Sequence, residues 1–405
     1  MAWTAHSGRH PQHFIKLSDH LDFLGVELRA TFVQTRKVNG DQIQKKISNT
    51  IGPWKSGKFM PLTLRPFSAN TYALSKVWFK CSSMNLRVQD ISNINSQVKS
   101  WVYQDCFEKP NELVLYRDSK DGGLGLFNVK CRAMACLLRS FLETAAHPGF
   151  RHSMFHELMY RYHVLSEHDL PDPGMTPYYD DQFFETLRHY HTTSSLNIAV
   201  MTIKQWYTVL MEDRLLMSPA TENSPQRLLR LRAELAFPNN DWIQTWRLIR
   251  IKGLQSELSA FMFRVIHCLL PTQARVARLG AAEGQRPGQC LLCRVEVEDL
   301  PHAFFSCQHN ILAGLALIGW VQGLSPDLSQ EDALHLQLGD NLIHEEELAA
   351  VNIISIGLKF IWEARVAKKQ ITIHQLRSEI EANIALLRKS KYSGVGQKMH
   401  ELLNN

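Results

Sequence analysis

Four side chains with metal-binding chemistry fall within eighteen residues of this chain: Cys290, Cys293, His302 and Cys307, in the run QCLLCRVEVEDLPHAFFSC. The pattern reads C-x2-C-x8-H-x4-C. A two-residue gap lets Cys290 and Cys293 meet one ion from a tight turn, and His302 and Cys307 then close a tetrahedron. Three thiolates and an imidazole are a donor set for structural Zn²⁺. Four protein ligands leave no position for water, so the chemistry expected is structural and not hydrolytic. His309, two residues past Cys307, is the one alternative ligand in reach.

Helices must position this cluster. Leu258, Phe261, Met262, Val265, Ile266 and Leu269 recur at helical spacing just upstream, Pro271-Thr272 breaks the pattern, and a short helix QARVARLG comes next, with Arg275 and Arg278 expected on its surface. Downstream, the apolar run Ile311 to Val321 reads as a buried helix; its eleven residues are too few for a bilayer, which needs about 20. A long helix is predicted from Glu345 to Lys369 and a charged one from Ile373 to Lys389. Strand signals are few outside residues 21–35, where LDFLGVELRATFVQT reads as strands around a turn. The fold class is therefore mainly α, with a short N-terminal β-hairpin and a small zinc knuckle.

At 405 residues, with 45% hydrophobic and 21% charged side chains, the chain supports several packed domains and is not of disordered composition. The N-terminal residues have no apolar core of a secretory signal. Five further cysteines (Cys81, Cys106, Cys131, Cys136, Cys268) stand singly in helical contexts, which suits a reducing compartment, the nucleus and/or cytoplasm.

The net charge of +6 is unevenly spread. Residues 29–80 hold ten Lys and Arg against Asp41 alone, which points to a polyanion partner, nucleic acid first. Asn39-Gly40 signals a turn and Asp41 an N-cap. Ile43, Ile47, Ile51 and Trp54 then mark a helix with Lys45, Lys46 and Lys55 off its apolar stripe. Further helices are predicted over Ser68–Cys81, Ser92–Phe107 and Lys130–Thr144.

Two motifs promise more than their context supports. Gly122, Gly123 and Gly125 lack the flanking strand and Lys of a phosphate cradle, and read as a turn. Tyr178-Tyr179-Asp180-Asp181 has the Y-x-D-D form of a polymerase metal site, but a proline precedes it and a helical pattern comes after it, so the aspartates read as helix caps. Proline-rich residues 166–182 and the run 218–226 read as linkers.

In order along the chain, these features resemble the C-terminal part of the polyprotein of a non-LTR (LINE-type) retrotransposon. FLGVEL (23–28) is similar to the end of the reverse-transcriptase palm. WKSGKFMPLTLRPFSANTYALSKVWF (54–79) resembles the thumb, with Trp54, Leu62, Arg65 and Asn70 fitting its pattern and Pro66 departing from it. INSQVKSWVYQD (94–105) and GGLGL (122–126) stand in the expected order. FMFRVIHCLLPTQARVARLG (261–280), with the cysteines after it, is similar to the reverse-transcriptase zinc-binding segment.

The resemblance implies a division into palm end (1–40), thumb-like helices (41–150), helical linker (151–240), zinc-binding segment (241–312) and C-terminal helices (313–405). It implies structural Zn²⁺ as cofactor, and RNA and/or DNA as partner, with another retroelement protein as a further candidate; membrane and small-molecule substrates are not expected. In that family the endonuclease and the polymerase aspartates lie upstream of the FLGV-like element, so the expectation is a fragment that is not an enzyme. Lys45, Lys46, Lys55, Lys58 and Arg65 are the residues expected to hold phosphates. Arg275, Arg278, Arg286 and Arg294 are expected to meet RNA or single-stranded DNA beside the knuckle.

Overall fold

The computed structural model describes residues 21–146, 183–212 and 237–404, apart from 24, 30–31, 56–59, 105, 107–108, 111, 184, 188, 191–197, 238, 281–287 and 340–341. These residues are mainly helical. The strands β1 (Leu21–Phe23) and β2 (Val26–Leu28) form an antiparallel hairpin turning at Gly25, whose φ is 79°. Residues 178–181, with the Y-x-D-D run, lie outside the described residues.

The expectations for residues 29–41 need correction. Among the described residues of this stretch no strand comes after β2; helix α1 begins at Phe32 and runs to Lys55, straight through Asn39-Gly40-Asp41. The turn signal fails because both residues have tertiary employment. Asn39 is buried and imitates a neighbouring strand: its Oδ1 accepts the Glu27 N–H at 3.1 Å, and its Nδ2 donates to the Glu27 carbonyl at 2.7 Å. The Lys80 ammonium, itself buried, donates to the same Oδ1 at 2.7 Å and to Gln42 at 2.6 Å. Gly40 is glycine for space. A Cβ there would lie 2.3 Å from Oδ2 of Asp90, and Asp90 cannot step aside, since Arg87 at 2.6 and 2.8 Å and Gln44 at 2.9 Å hold it.

After α1 come α2 (Arg65–Ser68), a π-helical turn Ala69–Leu74 and α3 (Ser75–Ser83) in one unbroken run, then α4 (Val88–Val102), which starts four residues ahead of its predicted Ser92. Short α5 (Glu112–Tyr116) and a 3-10 turn (Ser119–Asp121) precede α6 (Val129–Ala146). Downstream lie α7 (Ile203–Glu212), α8 (Trp242–Leu248), α9 (Ser256–Ile266), α10 (Gln273–Arg278), α11 (Ile311–Gln322), α12 (Gln330–His335), α13 (His344–Val366), α14 (Ile373–Arg388) and α15 (Ser393–Asn404). Among these, α12 and α15 carry no signal that the sequence reading used. No helix among the described residues is long and apolar enough to cross a membrane.

Two compact units interleave along the chain. The first comprises residues 1–49, 74–95 and 129–216, with a core of Leu138, Phe141, Phe183, Tyr190 and Trp206; the Phe141 and Phe183 rings meet edge-on at 5.2 Å. The second comprises residues 50–73, 96–128 and 217–405 and is built around α13. Leu348, Val351, Ile354, Leu358 and Ile361 of that helix are fully buried, and α9, α11, α14 and α15 pack about it.

In the second unit the glycine-rich turn is a docking plug, in accord with its reading as a turn. Gly122 has φ 81°, and a Cβ there would strike the Trp246 ring at 2.4 Å. Its carbonyl accepts Nε2–H of His267 at 2.9 Å, while Arg250 donates to the Gly123 carbonyl at 2.8 Å. Burial, aided by Arg250 and Arg117 and opposed by the Gly122 carbonyl, lowers the His267 pKa to about 4 from the usual 6.5.

Gly to Ala inside a helix ordinarily stabilises by about 1 kcal/mol. Gly40→Ala should instead destabilise by roughly 1–3 kcal/mol, read as a lower urea midpoint, because Asp90 must leave its partners. His267 stays neutral in the fold below the pH at which the unfolded chain takes a proton. Its contribution is therefore complete above pH 6.5 and lost as pH falls toward 4. Urea titrations across that interval should show stability falling with pH, and less steeply in His267→Gln.

Candidate metal centre

The knuckle is a small hairpin. Gln289 and Val297 form an antiparallel bridge, the Cys290 N–H donates to the Glu296 carbonyl at 2.9 Å, and the turn closes with Arg294 N–H on the Cys290 carbonyl at 3.0 Å. Arg294 takes a left-handed φ of 58°, which reverses the chain just after the second cysteine. The same backbone aims N–H groups at sulfur: Leu292 at Cys290 Sγ, 3.4 Å, and Val295 at Cys293 Sγ, 3.5 Å. Such donors favour thiolate over thiol.

The other two ligands come from a π-helical turn, His302–Ser306, started by Asp299, whose carboxylate accepts the His302 N–H at 2.8 Å. The i-to-i+5 closure, Cys307 N–H to the His302 carbonyl at 2.9 Å, ties the residue that opens the turn to the one just past its end. Phe304 and Phe305 between them are fully buried and anchor the turn, with Phe304 beside Trp362 at 6.0 Å.

The four ligand atoms all lie within 4.8 Å of one another. Cys290 and Cys307 sulfurs are 3.8 Å apart, and Nε2 of His302 is 3.5 Å from the Cys293 sulfur. The other ring nitrogen, Nδ1, meets the Glu296 carboxylate at 2.9 Å, so Nδ1 carries the proton and Nε2 offers its lone pair inward. The cluster does not include His309, whose ring nitrogen is 3.4 Å from the Gln308 amide.

Electrostatics at the thiols are uneven. Burial, with Cys307 and Glu298 nearby, pushes Cys290 up to about 12 despite N–H donors, and burial raises Cys307 as well. Burial also works to raise Cys293, but the N–H groups of Glu296 and Val295, with His302 and Cys290, outweigh it and bring that thiol down to about 7. Binding a metal here must therefore displace protons.

Behind the knuckle sits Glu298, fully buried, with Arg365 of α13, buried at 3% exposure, against it. Arg365 Nε donates to Oε2 at 3.1 Å, Nη2 donates to Oε1 and, at 3.3 Å, to the Pro271 carbonyl, and the guanidinium covers the Trp362 ring at 4.5 Å. The same carboxylate accepts Gln273 N–H at the start of α10, 3.0 Å, and Leu291 N–H in the knuckle turn, 3.3 Å.

This donor set, on this scaffold, invites comparison with known zinc-binding segments. Residues 233–311 match the family model for zinc-binding in reverse transcriptase. The match covers about a fifth of the 405 residues, from ahead of α8 to the first residue of α11, and contains all four clustered ligands. This segment is a reverse-transcriptase-associated zinc-binding domain. No curated protein matches the chain.

Of the basic residues expected to meet nucleic acid, Lys45, Lys46, Lys55, Arg278 and Arg294 are exposed. Lys58 and Arg286 lie outside the described residues. Arg65 and Arg275 require correction: each is 6% exposed. Arg65 donates to the carbonyls of Met60 at 2.8 Å and Val102 at 3.1 Å, so its guanidinium braces the chain instead of facing a phosphate. Arg275 is the buried residue of α10, the helix whose first N–H the buried Glu298 accepts. Sequence reasoning missed Glu296 and Glu298. Only their position between the ligand pairs hinted at a role.

The zinc-binding segment yields measurable expectations. Metal analysis should find one zinc per chain, lost on His302→Ala or Cys307→Ser and retained in His309→Ala. Glu296→Gln should weaken zinc affinity roughly 10-fold or more while keeping the stoichiometry. Affinity should fall as pH is lowered, since bound zinc displaces protons from Cys290 and Cys307. Glu298→Ala, which strands the Arg365 charge, should destabilise the chain by about 3–5 kcal/mol with all four ligands intact.

Proposed function

We propose that the chain is a nucleic-acid-binding portion of a non-LTR retrotransposon reverse transcriptase, or a derivative of one. In this reading it holds structural Zn²⁺ at Cys290, Cys293, His302 and Cys307, works in the nucleus or cytoplasm, and supplies binding without polymerase chemistry. The observation that carries it is the closed Cys₃His cluster inside the segment that matches zinc-binding in reverse transcriptase. Three sulfurs and one imidazole fill a tetrahedral zinc, so its contribution is to shape. With all four ligands engaged, the turn that displays Arg294 and the segment around Arg278 are held in place.

The second support is electrostatic. Residues 42–89 contain no Asp or Glu, and Lys45, Lys46 and Lys55 stand exposed on α1. Exposed cations on one helix suit a phosphate backbone, and their contacts tolerate any sequence. A zinc-stapled scaffold with no nucleic-acid role is the rival reading, favoured by the inward turn of Arg65 and Arg275 and by the buried Glu298–Arg365 pair.

A salt titration separates the two. The nucleic-acid reading expects log K to fall with log salt at ~0.9 per duplex phosphate neutralised, and a shallower slope and weaker binding in Lys45→Glu/Lys46→Glu/Lys55→Glu. Binding unchanged by the triple reversal, or none by the zinc-loaded chain, would reject it in favour of the scaffold.

A further inference from the structure

The run α2, π turn and α3 has an outer face that electrostatics alone does not explain. Its inner side is pinned throughout the first half. Arg65, Pro66, Ser68, Ala69 and Ala73 are buried. Asn70 ties the π turn to the glycine-rich turn at two points, donating to the Gly125 carbonyl at 2.8 Å and accepting the Phe127 N–H at 3.0 Å.

Two aromatic rings of α2 and the π turn are exposed, as is Phe79 of α3. Phe67 is 66% exposed and Tyr72 56% exposed, five residues apart across the π turn. Phe67 stands in α2 and Tyr72 in the π turn that continues it, and π turns recur at functional sites. Tyr72 is propped edge-on by Trp54 at 6.1 Å, and Trp54 rests on Trp101 at 4.9 Å. Lys55, next to Trp54, is exposed.

Two large rings held in water on a rigid support are costly for solubility unless something covers them. The chemistry of the surroundings says what. No acidic residue occurs from 42 to 89, and Lys45, Lys46, Lys55 and Lys76 of that stretch are exposed, so a polyanion is the complementary occupant. An anionic polymer that also offers flat apolar faces is a nucleic acid with unpaired bases. In a duplex those faces are already stacked on their neighbours; in a single strand they are available, and aromatic platforms amid cations are how they are held.

We propose that Phe67 and Tyr72 form a stacking platform for unpaired bases of single-stranded nucleic acid, with Lys55 meeting the adjoining phosphate. The proposal rests on the nucleic-acid reading above and makes it specific: this face binds single strands by their bases, whereas the exposed lysines of α1 bind any backbone.

The test uses the zinc-loaded full chain, with fluorescein-labelled oligodeoxythymidylate and the same oligomer paired with its complement, at fixed salt. Phe67→Ala/Tyr72→Ala should lose at least about tenfold in single-strand affinity, keep duplex affinity within about twofold, and leave the salt slope unchanged. Phe67→Trp/Tyr72→Trp should restore single-strand binding, which a loss through misfolding would not allow. An oligomer carrying 2-aminopurine should be quenched on binding by the natural chain and not by the alanine pair. Single-strand binding unaffected by the alanine pair, while Lys45→Glu/Lys46→Glu/Lys55→Glu weakens it, would overturn the platform and leave the broader reading standing. A natural chain that binds neither oligomer would remove both. Unchanged binding with an altered sedimentation coefficient in the alanine pair would assign the face to a second copy of the chain, and would also overturn the platform.

Discussion

The second unit depends on one buried ion pair. Glu298 and Arg365 have almost no solvent contact, and a carboxylate or guanidinium so placed is tolerable only if every polar atom finds a partner. Here the partners are structural boundaries. The carboxylate accepts the first N–H of α10 and an N–H of the knuckle turn, while the guanidinium reaches the carbonyl of Pro271 and lies on Trp362. One pair of charges thus fixes the start of α10, the orientation of the metal-ligand turn and its seat on α13. Hydrophobic side chains could fill the same volume, but they could not specify that set of directions.

The metal centre extends the same logic. Cys290 and Cys293 come from a hairpin whose N–H groups point at sulfur, and His302 and Cys307 from a π turn, an irregular geometry that a regular helix would not reproduce. Glu296 sets which imidazole nitrogen faces inward. The site is largely shaped by the protein's own hydrogen bonds, with burial holding two of its thiols protonated until a metal replaces the protons.

Basic residues in the 29–80 block divide into two populations. Lys80 and Arg65 are turned inward, where they serve buried acceptors, and the first of these has its pKa lowered by burial. Lys45, Lys46 and Lys55 stay in water. Composition treats all of these as one patch. The difference lies in helical phase: a cation about half a turn off the solvent stripe meets carbonyls and amides, and its charge is spent holding the chain together.

The ligand spacing, the helical periodicity of α9, α11, α13 and α14, and the break at Pro271 were legible because each is local: a few residues in sequence decide them through turn geometry and the 3.6-residue repeat. The turn at Gly122 was legible for the same reason. Asn39-Gly40 was not, since its turn propensity is outweighed by partners on Glu27, Lys80 and Asp90, up to fifty residues away. Nor was the burial of Arg65 and Arg275, or the work of Glu298, because each depends on a chain segment that meets the side chain only after folding. Sequence alone determined which atoms could bind a metal and where helices would run. Tertiary structure decided which charges face water and which glycine is a turn, because desolvation and steric exclusion act between residues that only the fold brings together.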